Sequence, residues 1–478
     1  MELEYEAVIG LEVHVELKTA AKIFCSCHAD FGAPPNTNVC PVCLGMPGAL
    51  PVLSKKAVEL ALRAGIAFES EINRISWFDR KNYFYPDLPK GYQITQFERP
   101  ICEGGSVVIE TDAGKRNIRL TRIHLEEDAG KLIHRGEETL IDYNRCGIPL
   151  IEIVSEADMH TASEVKAYLA SLRRTLLFAG VSDCKMNEGS MRCDVNVSVH
   201  RPGEKLGVKC EIKNVNSINY AGRAVDDEIK RQTAILRAGG TVRAETRRFN
   251  ENNGKTELMR PKEKNIDYRY FTEPNIPPLV LSEEYIEGQR NSMPEMPDKI
   301  INELCEKYAL REEDARIICE DPSYAQFFMK CVKIGKNVPV CANLFIGEVI
   351  PNMKNNVEYI SPEFLTEIAE MFTAGEIISG AAKTLIGKAA NERISPRVIA
   401  IRDKMLKITD LEEISAFADE TILLDERSVS DYISGKSAAA KRIMGGVMRK
   451  SRGLADPIIA ERIIIEKLEK IKKQTETK

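Results

Sequence analysis

The stretch Val8-Ile-Gly-Leu-Glu-Val-His-Val-Glu-Leu17 decides how the chain begins to fold. From Leu11 onward it alternates apolar and polar residues, the period of a strand with one buried face. Leu11, Val13, Val15 and Leu17 share one side, and Glu12, His14 and Glu16 share the other. Four cysteines follow at once, as Cys25-Ser-Cys27 and Cys40-Pro-Val-Cys43, with twelve residues between the pairs. Two thiolate pairs joined by a loop supply the four soft ligands of a tetrahedral structural zinc, each pair making half the tetrahedron. The carboxylate and imidazole face suits a harder, more open ion such as magnesium or manganese. The segment therefore reads as a structural metal beside a chemical site. The nine other cysteines, Cys102 to Cys341, show no ligand spacing and read as small core residues.

Outward from this strand the same alternation recurs. Met191, Cys193, Val195, Val197 and Val199 point one way, and Arg192, Asp194, Asn196 and Ser198 the other. Val208, Cys210 and Ile212 repeat it, with Lys209, Glu211 and Lys213 opposite. Arg116 to Glu126 forms a further strand that runs into Leu-Glu-Glu-Asp-Ala-Gly. One clear helix interrupts: Thr161 and Glu164 make a capping box, Val165, Leu169, Leu172 and Leu176 a stripe, and Gly180 a stop. Strands around few helices predict an α+β domain with a mixed sheet over residues 1–292.

Near Met293-Pro-Glu-Met-Pro297 the character changes. Pro297, Pro322 and Pro362 occupy first helical positions, the last two behind the caps Asp321 and Ser361. Stripes such as Phe328, Cys331 and Val332, or Leu365, Ile368 and Phe372, keep a helical period. An all-α domain is expected over 293–405. A smaller all-α tail is expected over 406–478, with helical runs at Leu411–Phe417, Val429–Ile433, Ala438–Lys450 and Pro457–Lys472.

The 478 residues exceed one core, and 43% hydrophobic with 29% charged residues describes an ordinary globular protein. No apolar run is long enough to span a membrane. The acidic Met-Glu-Leu-Glu-Tyr-Glu start excludes a secretory signal, and with unpaired cysteines it leads to an expected cytoplasmic setting. The net charge of −5 argues against general nucleic-acid coating, but it hides an asymmetry. Ser437 to Lys478 holds eleven Lys or Arg against five Asp or Glu, whereas Arg397 to Lys436 holds six against nine. A basic end on an acidic protein is an electrostatic footprint for phosphate.

Acidic and metal-type groups gather on three strand faces and one loop: Glu12 with His14, then Glu126, Glu127 and Asp128, then Asp194 with Asn196, and Glu211. Clustered carboxylates are costly unless a divalent ion neutralises them. The aromatic and basic run Asp79-Arg-Lys-Asn-Tyr-Phe-Tyr-Pro-Asp-Leu-Pro-Lys-Gly-Tyr-Gln93 is too polar for a core strand and too aromatic for an idle loop; Tyr268-Arg-Tyr-Phe271 is a second such patch. Gly254-Lys-Thr and Gly435-Lys-Ser resemble ends of a P-loop, but Phe249 and Ser430 stand where its first glycine is required. Nucleotide phosphates would therefore be held through metal and scattered basic groups. A nucleophile elbow and an amidase-type Gly-Gly-Ser-Ser cluster are both missing.

Six long segments resemble the GatB family, the B subunits of bacterial aspartyl/glutamyl-tRNA amidotransferases. They are Ile9-Gly-Leu-Glu-Val-His-Val-Glu-Leu17, Arg80-Lys-Asn-Tyr-Phe-Tyr-Pro-Asp87, His124-Leu-Glu-Glu-Asp-Ala-Gly-Lys131, Pro149-Leu-Ile-Glu-Ile-Val-Ser-Glu156, Gly189-Ser-Met-Arg-Cys-Asp-Val-Asn196 and Glu211-Ile-Lys-Asn-Val-Asn-Ser217. The resemblance runs in order along the whole chain. It implies a cradle domain, a helical domain and a tail that contacts tRNA. It also implies an ATP-dependent carbon–nitrogen ligase acting on misacylated Glu-tRNA(Gln), Asp-tRNA(Asn) or both. Such an enzyme phosphorylates the side-chain carboxylate with ATP, and ammonia then displaces phosphate. The ammonia comes from the amidase GatA, joined with the small subunit GatC in a heterotrimer.

By resemblance and strand geometry, Glu12, His14, Glu126 and Glu211 are expected magnesium ligands, with Glu127 and Asp194 beside them as catalytic candidates. Lys81, Lys90, Arg192 and Lys213 are expected at phosphate. Tyr83, Tyr85 and Tyr92 are expected to line the aminoacyl-adenosine pocket, and Cys25, Cys27, Cys40 and Cys43 to hold zinc. Lys441, Arg442, Arg449, Lys450 and Arg452 are the expected tRNA contacts. Two other readings compete: a non-catalytic tRNA-binding scaffold of the same fold, and a free-standing metal-dependent ligase with its own amine source.

Overall fold

The opening strand, β1 (Glu6–Glu16), lies in the middle of a ten-stranded sheet. The computed structural model describes residues 4–261, 267–354 and 359–476, so the first three residues of the acidic start lie outside it. Ile9, Leu11, Val13 and Val15 are all but sealed from solvent, while Glu12, His14 and Glu16 on the other side stay partly open. The strands that build the site are β2 (Gly114–Glu127), β3 (Pro149–Ser155), β4 (Met191–His200), β5 (Cys210–Val215), β6 (Glu245–Asn250) and β7 (Lys255–Pro261). Their spatial order is β7, β6, β5, β4, β1, β3, β2. The β5–β6 pair is parallel and the other pairs in this row are antiparallel, so the sheet is mixed.

The apolar face of β1 is covered by helices. In α2 (Ala162–Phe178) the capping box forms, with Thr161 and Glu164 serving each other's backbone N–H groups. Tyr168, Leu172 and Leu176 of α2 join Ala221, Ala224 and Val225 of α3 (Ile218–Arg237) in one core with the strand residues. With that face buried, the register must turn every second residue of β1 and β4 toward the opposite, open face.

The first compact unit spans Met1–Pro297 and the second Asp298–Lys478. In the second, helices begin at the expected prolines: Pro297–Tyr308, Pro322–Ile334 and Pro362–Thr373. Asp321 and Ser361 cap the last two through their side chains. Its final helices, Leu411–Leu424, Glu426–Ile433, Ala439–Lys450 and Pro457–Glu476, enclose a core of their own built on Ile414, Ala418, Ile443, Val447, Ile464 and Leu468. The fold class is α+β, as the sequence pattern predicts.

Three local expectations need correction. The first unit holds not one clear helix but several, including α1 (Lys55–Ala67) and the twenty-residue α3. In α1 alanine and glycine dilute a stripe of Val58, Leu60 and Leu62, and in α3 the buried face mixes Ala221, Ala224 and Val225 with Glu228 and Gln232, which blurs the apolar period. Val208 is exposed, because β5 starts only at Cys210. Phe372 lies at the exposed rim of its helix, unlike Leu365 and Ile368.

Candidate active site

Strand pairing assembles the site rung by rung. His14 on β1 faces Glu152 on β3, which in turn faces His124 on β2. Glu12 faces Asp194 on β4. Asn196 faces Glu211 on β5, and Glu211 faces Thr246 on β6. Cross-strand neighbours on one face lie within side-chain reach. The result is two groups of ligand atoms, each within 4.8 Å of one another: His14, Glu126 and Glu152, then Glu12, Asp194 and Glu211. Both open into one polar cavity of about 710 Å³, whose walls also carry Lys81, Phe97, Arg122, Lys213, Tyr268 and Tyr270.

Imidazoles and carboxylates interlock in the first group. His14 Nε2 lies 3.4 Å from Glu152 and 3.5 Å from Glu126, and His124 Nε2 lies 3.4 Å from Glu152. Burial opposes charge on His14, but the Glu152 hydrogen bond and the Glu126 carboxylate outweigh it and lift its pKa to about 9. Burial, then Glu152, push Glu126 up to about 7. Burial also opposes the Glu152 carboxylate, yet His124, His14 and Lys81 hold it below the usual range. Burial drives His124 down to about 4 against the pull of Glu152, and its Nδ1 has no hydrogen-bond partner among the described residues.

In the second group, Asn196 donates to Glu12 at 3.1 Å and Thr246 donates to Glu211 at 3.1 Å. Lys213 donates to Asp194 at 2.6 Å. Burial, then Glu152, Asp194 and Glu211, push Glu12 up. Five carboxylates thus share one cavity with Lys81, Arg122, Lys213 and Arg260, and the raised pKa values of Glu12 and Glu126 mark a residual strain between carboxylates that a divalent ion relieves. Oxygen donors with one imidazole fit magnesium or manganese.

The four cysteines also meet, with their Sγ atoms within 4.8 Å of one another. Cys40 and Cys43 Sγ are 3.9 Å apart. A zinc tetrahedron with bonds of about 2.3 Å has edges of about 3.8 Å, so the donor set fits zinc. A hydrogen bond from Cys25 pulls the Cys43 thiol down to about 4, with the Lys22 ammonium adding to it. Lys22 is almost wholly buried and donates to the Asn38 carbonyl at 2.7 Å, pinning the loop between the cysteine pairs.

Other expected residues are placed elsewhere. Glu127 lies on the opposite side of β2 from Glu126, as a period of two requires. It pairs with Lys90 and accepts from the Ile94 N–H. Lys90, Tyr92 and Glu127 line a separate cavity of about 220 Å³ beside Cys25 and Cys43. Tyr92 is stacked by the Arg80 guanidinium, 4.2 Å from its ring centre. Arg192 bonds Asp128 at 2.5 Å and does not line the acidic cavity. Tyr83 packs edge-on against Tyr268, and Tyr85 is more than half exposed. In the tail, Lys441 opens onto a cavity of about 500 Å³ with Tyr432 and Met444, Lys450 pairs with Glu420, and Arg442, Arg449 and Arg452 lie on or just after the same helix.

The sequence reading missed Glu152 and His124 as site residues. The available signal was an acid flanked by Ile151 and Ile153, too polar for a strand buried on both faces. It also missed Phe97, which stacks on Tyr270 at 4.0 Å, and Arg122 above it.

Comparison with known proteins shows the family to which the chain belongs. Residues 7–287 match the family described as the GatB/GatE catalytic domain, and residues 326–468 match the GatB domain. Over 475 residues the chain is 45% identical to a protein of Thermoanaerobacter pseudethanolicus named as the B subunit of aspartyl/glutamyl-tRNA(Asn/Gln) amidotransferase, covering 98% of this chain and all of that one. Proteins of the same name from Persephonella marina and Clostridium kluyveri are 43% and 44% identical, each over 98% of this chain and their own full length. By both measures, the chain is a member of the GatB family.

Proposed function

We propose that this chain amidates the side-chain carboxylate of Glu or Asp carried by the wrong tRNA, at the expense of ATP, as one subunit of a larger amidotransferase. The observation that carries this is the pair of ligand groups, His14–Glu126–Glu152 and Glu12–Asp194–Glu211, facing one cavity wide enough for a nucleotide and an aminoacyl end. The relatives' name supplies the substrates, and the pocket supplies a reason for ATP. A carboxylate resists ammonia because oxide is a poor leaving group, so it must first be made an acyl phosphate. One carboxylate oxygen attacks the γ-phosphorus and ADP leaves. Ammonia then attacks the carbonyl carbon, phosphate leaves with that oxygen, and the nitrogen loses its proton to solvent.

Both reactants of the first step are anionic. Divalent ions held by the two groups supply the charge neutralisation that phosphoryl transfer needs. The chain's own residues do the rest. Lys81, Arg122 and Lys213 bind phosphate oxygens, and Tyr268, Tyr270 and Phe97 form the aromatic wall for a base or the terminal adenosine. His124, with its Nε2 3.4 Å from Glu152, orients that carboxylate. The four cysteines hold a structural zinc that fixes the segment after β1. The second unit divides near residue 405, and the basic Lys441, Arg442, Arg449, Lys450 and Arg452 meet tRNA phosphates. Ammonia comes from an amidase partner with a small third subunit, in the cytoplasm where tRNA is charged. Among the described residues no helix is long and apolar enough to cross a membrane.

The test is ADP formation by the chain assembled with its amidase and small subunits. Misacylated Glu-tRNA(Gln) or Asp-tRNA(Asn) should stimulate it over correctly charged tRNA, and Glu12→Gln or Glu152→Gln should abolish the stimulation. Intact tRNA binding with no stimulation in the unaltered enzyme would favour the scaffold reading instead.

A further inference from the structure

The two ligand groups are wired differently. The His14 group is interleaved with imidazoles, and no lysine forms an ion pair with its carboxylates among the described residues. In the Glu12 group an ammonium stands among the carboxylates. Lys213 Nζ is 2.6 Å from Asp194 Oδ2 and 3.5 Å from Glu211 Oε1. Lys213 lies two residues after Glu211 on the same face of β5, so the strand delivers the cation and one of its carboxylates together.

Two of the three carboxylates are held independently of the lysine, and the third, Asp194, is held by it. Asn196 fixes Glu12 and Thr246 fixes Glu211, each from a neighbouring strand. The Lys213 side chain keeps 36% of its surface exposed and borders the cavity, and its four-carbon stem can swing. A divalent ion ligated by Asp194 and Glu211 would share with the ammonium the two carboxylates that Lys213 now contacts. Two cations crowded onto the same two carboxylates repel each other, and that repulsion sets them in competition.

We propose that Lys213 is a tethered counter-cation of the Glu12–Asp194–Glu211 group, competing there with a divalent ion and passing its ammonium to a nucleotide phosphate oxygen when ion and nucleotide arrive together. The inference rests on the functional reading above. It adds an ordering device: the ion enters this group readily only with phosphate present, since phosphate gives the displaced ammonium a new partner. No covalent bond changes, only the partner of one charge.

The experiment uses the full-length chain stripped of metal by chelator, with Mn²⁺ binding followed by electron paramagnetic resonance. Lys213→Met should tighten one of two Mn²⁺ sites by about tenfold or more, the scale set by removing one unit charge from a part-exposed site. Lys213→Arg, which keeps the charge, should bind Mn²⁺ as the unaltered chain does. With ATP added, the unaltered chain should gain Mn²⁺ affinity at that site and Lys213→Met should gain less. Unchanged or weakened Mn²⁺ binding in Lys213→Met would overturn the proposal while leaving the metal reading intact; an unaltered chain that binds no Mn²⁺ would overturn both. A second measurement reads the unaltered side chain directly and uses a substitution only for assignment. After reductive ¹³C-methylation, the Lys213 resonance, assigned by its loss in Lys213→Arg, should move on adding Mg²⁺ with ATP, and a resonance that stays still would contradict the exchange of partners.

Discussion

Replacing Glu152 by glutamine probes the His14–Glu126–Glu152 group in a way that can be computed. His14 is lifted from the ordinary 6.5 to about 9. The difference corresponds to about 3 kcal/mol favouring the imidazolium. This is what remains after burial opposes the charge: Glu152 at 3.4 Å supplies both a hydrogen bond and a charge, and Glu126 at 3.5 Å a charge. Removing Glu152 should therefore lower the His14 pKa by at least about 1 and forfeit at least about 1 kcal/mol of its stabilisation. The folded value lies above the unfolded one, so this stabilisation is complete below pH 6.5 and fades as pH rises through about 9. The His14 share of any Glu152→Gln destabilisation should follow the same window, largest in mild acid and gone in base. The assay is NMR titration of histidine-labelled, metal-free protein, with the six histidines distinguished by His14→Asn. A His14 midpoint unmoved by Glu152→Gln would refute the reasoning.

Other consequences follow from the same structure. Cys43→Ser should release the metal from the cysteine cluster and lower the melting temperature, read by elemental zinc analysis and calorimetry. Lys90→Met strands the buried Glu127 carboxylate and should cost about 3 to 5 kcal/mol, while Lys90→Met with Glu127→Gln should recover much of it in denaturant unfolding. Thr161→Ala removes one half of the α2 capping box and should cost about 1 kcal/mol by the same assay.

Much of the cradle was legible because a half-buried strand writes its faces into alternate residues. Leu11, Val13 and Val15 against Glu12 and His14 needed no structure to sort, nor did Asp194 from Val195. The three prolines that open helices after residue 293 were equally plain, since proline costs nothing at a first helical position. What failed was pairing. Sequence adjacency put Glu127 beside Glu126, whereas the strand period sends them to opposite faces and gives Glu127 to Lys90. Adjacency likewise kept Glu152 out of the site, because only the β1–β3 register brings it opposite His14. Helix α3 was hidden by its composition, with Glu228 and Gln232 buried on a face where apolar residues are expected.

The central claim, that the tRNA-borne carboxylate is phosphorylated in this cavity, is tested most directly by following its oxygen. Misacylated Glu-tRNA(Gln) or Asp-tRNA(Asn), labelled with ¹⁸O in the side-chain carboxylate, is turned over by the assembled enzyme with ATP and glutamine, and the released phosphate is analysed by mass spectrometry. The account predicts one ¹⁸O from the carboxylate in each phosphate formed, and none when Glu12→Gln or Glu152→Gln is used. Amide product accompanied by phosphate free of the label would contradict it.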